Sequence, residues 1–255
     1  DQRLRELIID GLIQGGVDGS SYLSAYEYSY FLQFLPYAMN PDGKRCLMIG
    51  LGAGVIPRWY ESRGITTDAV DIDPTILEVA EQYFGQNLRG DRFVQDARYF
   101  LQTATRTYDY IILDVFNGDT TPAHLLSQEA LALIRDRLGK DGILGINLVG
   151  DLGSNAFMTA SVVKTLESIF DQVEIVPTFD TGSAKQSGNL AILAYMGAVK
   201  MPDLGEIRDN PIHPMAGTLV NANLQKRFRF PESQRAILLT DDYNPIDFFD
   251  ADLKE

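Results

Sequence analysis

Residues 46–74 read CLMIGLGAGVIPRWYESRGITTDAVDIDP, and this stretch decides the fold. A short apolar strand, Cys46–Gly50, runs into the turn Gly50-Leu51-Gly52-Ala53-Gly54 and then a helix over Val55–Ser62. A second strand, Thr66–Ile72, follows, and Asp73-Pro74 opens a further helix to Phe84. Proline suits the first helical position, and an aspartate before it suits the N-cap. Glycines let backbone approach a ligand closely, and a helix N-terminus offers free N–H groups. Strand, glycine turn and helix together therefore form a nucleotide-binding element; the plainer reading is a tight turn needed only for packing. The turn is GxGxG with Val55 next, so the dinucleotide fingerprint GxGxxG is incomplete and a single nucleoside is favoured over NAD.

The alternation continues outward. Strands are expected at Arg92–Asp96, Tyr108–Val115 and Ile143–Val149, with helices at Arg98–Thr103, Leu125–Leu138 and Asn155–Phe170. Strand–helix alternation implies a parallel sheet covered on both faces. It stops at Val173–Phe179 and Leu190–Met196, two strands joined only by the polar loop 180–189, which should pair antiparallel. The expected fold is α/β: a class I S-adenosylmethionine-dependent methyltransferase-like Rossmann fold, with a seven-stranded sheet ending in an antiparallel hairpin. A small β-hairpin region, turning at Val17–Ser21, and a helix from about Ala25 precede it. The division is 1–40 for that region and 41–255 for the nucleoside-binding domain, with the proline-bearing residues 200–255 expected to be irregular.

Acidic residues number 35 and basic residues 22, a net charge of −13 that argues against a nucleic-acid partner and is compatible with a cationic ligand. The single cysteine, Cys46, precludes an internal disulfide and fits a reducing, cytoplasmic setting. With only His124 and His213 besides it, a Cys/His zinc site is excluded and no metal is expected. No apolar run approaches the roughly 20 residues that span a bilayer, and no signal peptide is visible. The chain begins at Asp1 without methionine, which suggests a piece of something longer.

Acids recur at strand ends. Asp71 lies about 20 residues after the glycine turn, where an acid binds ribose hydroxyls, whereas Asp73 reads as a helix cap. Asp96, followed by Ala97, either accepts from an adenine amino group or caps the next short helix. Asp114 follows four apolar residues at the mouth of the sheet, where ligands of open α/β sheets bind. The loop after it, through Asp119 and Pro122, is placed to close over a ligand. His124 reads as an ordinary polar residue near a helix start.

The blocks Leu7–Gln14, Tyr28, Leu47–Gly54, Val70–Pro74, Asp96, Asp114–Pro122 and Leu239–Tyr243 resemble the spermidine synthase (polyamine aminopropyltransferase) family. Among its members the chain is most similar to bacterial spermidine synthase-like domains fused to membrane segments. The resemblance implies transfer of an aminopropyl group from decarboxylated S-adenosylmethionine to putrescine or a related small cationic amine, releasing methylthioadenosine. It implies Gly50, Gly52 and Gly54 at the nucleoside, Asp71 at ribose, Asp96 and Ala97 at adenine, and Pro122 in the covering loop. It makes Asp114 the catalytic acid and Tyr28 an amine neighbour, with Asp119, Asp242 and Tyr243 holding a cationic tail. It also implies a homodimer, and a cytoplasmic location either as a free chain or as the cytoplasmic domain of a membrane protein.

Departures fall on the amine side. The family's glycine turn reads GGGDG, and its aspartate contacts the aminopropyl nitrogen; here that position is Ala53. Tyr28-Ser29 stands where the family has Tyr-His or Tyr-Gln, and Asn117 where it has a second acid. The upstream strands before the Asp-Gly-x-x-Gln block are largely absent. Three readings follow: aminopropyl transfer; use of S-adenosylmethionine itself, by methyl transfer or internal cleavage; and a non-catalytic nucleoside or polyamine sensor.

Overall fold

The computed structural model describes residues 4–9, 11–116, 121–181, 186–197, 199 and 214–246. Its elements are β1 (Leu4–Ile9), β2 (Leu12–Asp18), α1 (Tyr28–Met39), β3 (Arg45–Ile49), α2 (Val55–Ser62), β4 (Thr66–Asp71), α3 (Pro74–Phe84), β5 (Arg92–Val94), α4 (Ala97–Thr103) and β6 (Tyr108–Leu113). A 3₁₀ turn at Ala123–Leu125 precedes α5 (Gln128–Arg137), β7 (Leu138–Asp151), α6 (Phe157–Glu167), β8 (Gln172–Pro177), β9 (Ser187–Tyr195) and α7 (Pro214–Leu224).

Seven strands form one sheet in the order β5-β4-β3-β6-β7-β9-β8. Neighbours from β5 to β7 run parallel, and β9 is antiparallel to both β7 and β8. Both faces are covered, which explains the unbroken apolar runs of the central strands. Along β3, Cys46 and Met48 join the core shared with α1, α2 and α7, while Leu47 and Ile49 join the core shared with α4, α5 and α6. Strand order reverses between β3 and β6, and ligands of open α/β sheets bind outside the strand ends at such a point.

Four local expectations are corrected. The N-terminal hairpin pairs Ile9 with Leu12, so the chain reverses between these two residues rather than at Val17–Ser21. The latter segment is a separate turn, in which Asp18 accepts from the Ser20 and Ser21 amides and hydroxyls. Helix α1 starts at Tyr28, not Ala25, because Ser24 bridges back to Val17 and Ala25 N donates to Gly16 O. Leu138 belongs to β7, which is longer than Ile143–Val149 because its start still pairs with Tyr108. Residues 214–224 are helical rather than irregular, with Val220 and Leu224 buried beside α1 and β8. Among the described residues, no helix is long and apolar enough to cross a membrane.

Candidate active site

Gly50 ends β3 with φ +81°, and a Cβ there would lie 2.3 Å from the Asp114 carbonyl oxygen. Only glycine tolerates both the backbone angle and the contact. Its amide donates to Val70 O at 2.9 Å, and Asp114 N donates to Ile49 O at 3.0 Å. The ends of β3, β4 and β6 are thereby locked together. Gly54, at φ +67°, caps α2.

Above this junction lies a cavity of about 520 Å³, lined by the glycine turn, Tyr28, Asp71, Asp96, Asp114 and Pro122, with Ala97 and His124 also on its wall. Four aspartates (71, 73, 96 and 114) border it, and no lysine or arginine does among the described residues. That lining suits a sulfonium or ammonium ion and opposes a pyrophosphate. No group of three metal-ligating side chains occurs among the described residues.

Each acid is held differently. Asp71 accepts Leu51 N at 2.8 Å on one oxygen and Asp73 N at 3.0 Å on the other, so it fixes the glycine turn while lining the cavity. Burial raises its pKa, with the backbone amides opposing. Asp73 caps α3 through Thr75 N at 2.8 Å. Asp96 caps α4 through Tyr99 N at 3.0 Å, and its second oxygen lies 3.0 Å from His124 Nε2. The cap and the cavity position thus coexist. Ala97 is the first residue of α4, where amides lack a partner within the helix.

Asp114 follows the last residue of β6 and is half-buried on the cavity wall, and desolvation there pushes its pKa from 3.8 up to about 6. Hydrogen bonds from Asn147 and Tyr28 oppose the rise. Asn147 Nδ2 donates to Asp114 Oδ1 at 2.9 Å, and Asn189 Nδ2 donates to Asn147 Oδ1 at 3.2 Å. Burial and the Asp114 charge hold the Tyr28 hydroxyl well above its usual pKa, so it stays a donor. Ser29 is buried and turns its hydroxyl back to Tyr26 O at 2.9 Å. Ala53 is also buried, on the cavity wall.

A second recess, about 690 Å³, shares Tyr28 and Phe116 with the main cavity and is walled by Glu27, Asn147, Thr178 and Asn189.

The predicted residues Gly50, Gly52, Gly54, Tyr28, Asp71, Asp96, Ala97, Asp114 and Pro122 are brought to one cavity. Asp242 and Tyr243 are not. They line a separate cleft on the outer side of Ala123 and His124. Their segment is pinned there: Gln128 N donates to Leu239 O at 2.8 Å, Arg98 pairs with Asp241, and Asn244 Nδ2 donates to Ala123 O at 2.7 Å. Asp119 and Asn117 lie outside the described residues. Sequence reasoning missed Asn147 and Asn189 and read His124 as merely structural. A lone amide within the apolar run of β7 was the available signal.

The spermine/spermidine synthase domain family matches residues 11–183. An N-terminal histidine N-methyltransferase of Emericella nidulans is 37% identical over 133 residues, which is 50% of this chain and 24% of that protein. The polyamine aminopropyltransferase of Vibrio vulnificus is 28% identical over 224 residues, 81% of this chain and 70% of that enzyme. The crystal structure of a probable spermidine synthase from Corynebacterium glutamicum superposes with a TM-score of 0.68 at 18% identity, covering 76% of this chain and 73% of that one. The last likeness shows the class I methyltransferase-like fold. The chain spans about a quarter of the fungal relative's length. With a family match over most of its length, the chain belongs to the spermine/spermidine synthase domain family.

Proposed function

We propose that the chain transfers an aminopropyl group from decarboxylated S-adenosylmethionine to a small amine such as putrescine, releasing methylthioadenosine. The observation that carries this reading is Asp114: a half-buried carboxylate on the cavity wall with a pKa of about 6, held by neutral donors that themselves line a second recess. The sulfonium supplies the electrophilic carbon. The protein's task is to bind it, align the amine and take the amine's proton. A free alkylammonium has a pKa near 10.4, so the nucleophile is protonated at neutral pH. Asp114, ionised at pH 7, accepts that proton as the nitrogen–carbon bond forms and the carbon–sulfur bond breaks. Such base catalysis contributes about 10²–10⁴-fold. Alignment across the two chambers contributes up to ~7–11 kcal/mol.

The nucleoside fits the residues present. Asp71 on the glycine turn faces ribose, and Asp96 with Ala97 and Pro122 faces adenine. The remaining carboxylates favour a cation and leave no counter-charge for a phosphate.

A second reading is methyl transfer from S-adenosylmethionine itself to an amine. Ala53 favours it, because an uncharged wall at the donor's tail tolerates a carboxylate that an aspartate would repel. The activity for which the fungal relative is named, N-methylation of an N-terminal histidine, points the same way.

One incubation separates the two. Putrescine is supplied with either donor, and nucleoside products are resolved by chromatography. Methylthioadenosine from the decarboxylated donor is the expected result. S-adenosylhomocysteine from S-adenosylmethionine, with no methylthioadenosine, would replace the first reading by the second.

A further inference from the structure

We propose that Asn147 and Asn189 are positioning residues, a polarised amide relay that fixes the orientation of Asp114 and keeps it ionised for proton acceptance. The relay rests on the proposed function only for the direction in which the proton moves.

The placement of Asn147 is unusual for its strand. Ile143, Leu144, Ile146 and Leu148 of β7 are buried apolar residues, and Asn147, 1% exposed, stands among them. An amide buried there is costly unless both its ends are bonded. Both are. Its Nδ2 reaches Asp114 on the neighbouring β6 end, and its Oδ1 receives Asn189 Nδ2 from β9 on the other side.

The chain has one possible polarity. An ionised carboxylate only accepts, so Asn147 must present its NH₂ to Asp114. Its carbonyl then faces Asn189, which must present its own NH₂ in turn. Tyr28 also donates to Asp114, from α1. Three groups from three elements thus agree on a single state, with Asp114 as the acceptor.

The surroundings give the relay something to do. Tyr28 is the titratable group in contact with Asp114, and Tyr26 and Glu27 precede it at the start of α1. From β4 and its following turn come Asp71 and Asp73, from the α4 N-cap comes Asp96, and from the 3₁₀ turn before α5 comes His124, all lining the same cavity. β7 and β9 present only the two amides. No lysine or arginine lines the cavity among the described residues. Neutral donors, not cations, therefore oppose the effect of burial. Without them desolvation would act unopposed, and the Asp114 carboxyl would hold its proton to higher pH and accept the amine's proton less readily.

The test reads Asp114 directly. Carboxyl carbons are ¹³C-labelled and titrated by NMR without any substrate, with the Asp114 signal identified by its loss in Asp114→Asn. Asn147→Leu, nearly isosteric, should raise the Asp114 midpoint by about one pH unit or more. Asn147→Asp should raise it further, because two adjacent carboxylates share a proton. Asn189→Leu should raise it less, since Asn147 keeps its bond to Asp114. Methylthioadenosine affinity should stay within about twofold. An unchanged midpoint in folded Asn147→Leu and Asn189→Leu overturns the proposal. If Asn147→Leu fails to fold, Asn189→Leu, at the edge of the recess, decides alone. The titration involves no turnover, so it stands or falls separately from the assignment of aminopropyl transfer.

Discussion

Replacing Gly50 by alanine should break the junction on which the site is built, and Gly64 provides the matched control. Both have positive φ, +81° at Gly50 and +80° at Gly64. An L-residue pays about 1–2 kcal/mol for that backbone angle. They differ in what a Cβ would meet. At Gly64 nothing lies within 4 Å, whereas at Gly50 the Asp114 carbonyl oxygen lies at 2.3 Å and Val115 Cγ2 at 2.8 Å. The carbonyl belongs to backbone that cannot swing aside, so strand ends must separate, at a further cost of about 1–3 kcal/mol by analogy with overpacked cores. Gly64→Ala should thus lose about 1–2 kcal/mol and Gly50→Ala roughly 2–5 kcal/mol in urea denaturation. Methylthioadenosine binding, measured by calorimetry well below the transition, should be intact in Gly64→Ala. In Gly50→Ala it should weaken by at least about tenfold, because the displaced turn carries the Leu51 amide that Asp71 holds. Equal stability losses in the two variants, or wild-type binding by Gly50→Ala, would refute the argument that close approach to Asp114 is what requires glycine.

Two further outcomes follow from the acids. Because the Asp114 carboxyl titrates at about 6 in the folded chain against 3.8 in the unfolded one, the native state binds that proton more tightly. Stability from this group is complete below 3.8, is lost as pH rises through about 6, and stays lower above it. Asp114→Asn should therefore match wild type at pH 4 and exceed it at pH 7 by up to about 3 kcal/mol, read from urea midpoints at the two pH values. A variant less stable than wild type at pH 7 would contradict this. Asp71→Ala should weaken methylthioadenosine binding by about 10–100-fold. Asp73→Ala should cost about 0.5–2 kcal/mol of stability as a lost helix cap and leave affinity unchanged, so similar affinity losses in both would void the division of roles.

The parallel half of the sheet was legible because its strands are buried on both faces and its turns carry glycine or a capping acid. Cys46–Gly54 and Asp71–Pro74 announce strand, turn and helix within a few residues. Less legible features depend on distant partners. The first hairpin closes between Ile9 and Leu12, yet Val17–Ser21 has the stronger local turn composition. The prolines around α7 hide a helix whose Val220 and Leu224 are stabilised by packing on α1 and β8. Asp242 and Tyr243 carry the right residue types for a cation, but Arg98, Gln128 and Glu129 hold their segment against α4 and α5. Asn147 and Asn189 are neutral residues in apolar strands, and their meaning emerges only when β7 lies between β6 and β9. His124 was judged by its neighbours in sequence, whereas its significance comes from Asp96, 28 positions away. The half of the cavity formed by the glycine turn, Asp71 and Asp96 is thus written in short motifs, and the half around Asp114 in tertiary contacts.

In the proposed reaction Asp114 is the base that frees the amine. Asp114→Asn keeps the shape of the side chain, retains a partner for Asn147, and leaves Asp71, Asp96 and the glycine turn untouched. The decisive measurement is the rate of methylthioadenosine release from decarboxylated S-adenosylmethionine and putrescine by this variant, alongside its affinity for methylthioadenosine. The expected result is affinity within about twofold of wild type and a rate lower by about 10²–10⁴-fold. Near-wild-type release by Asp114→Asn would contradict it, whatever the fold.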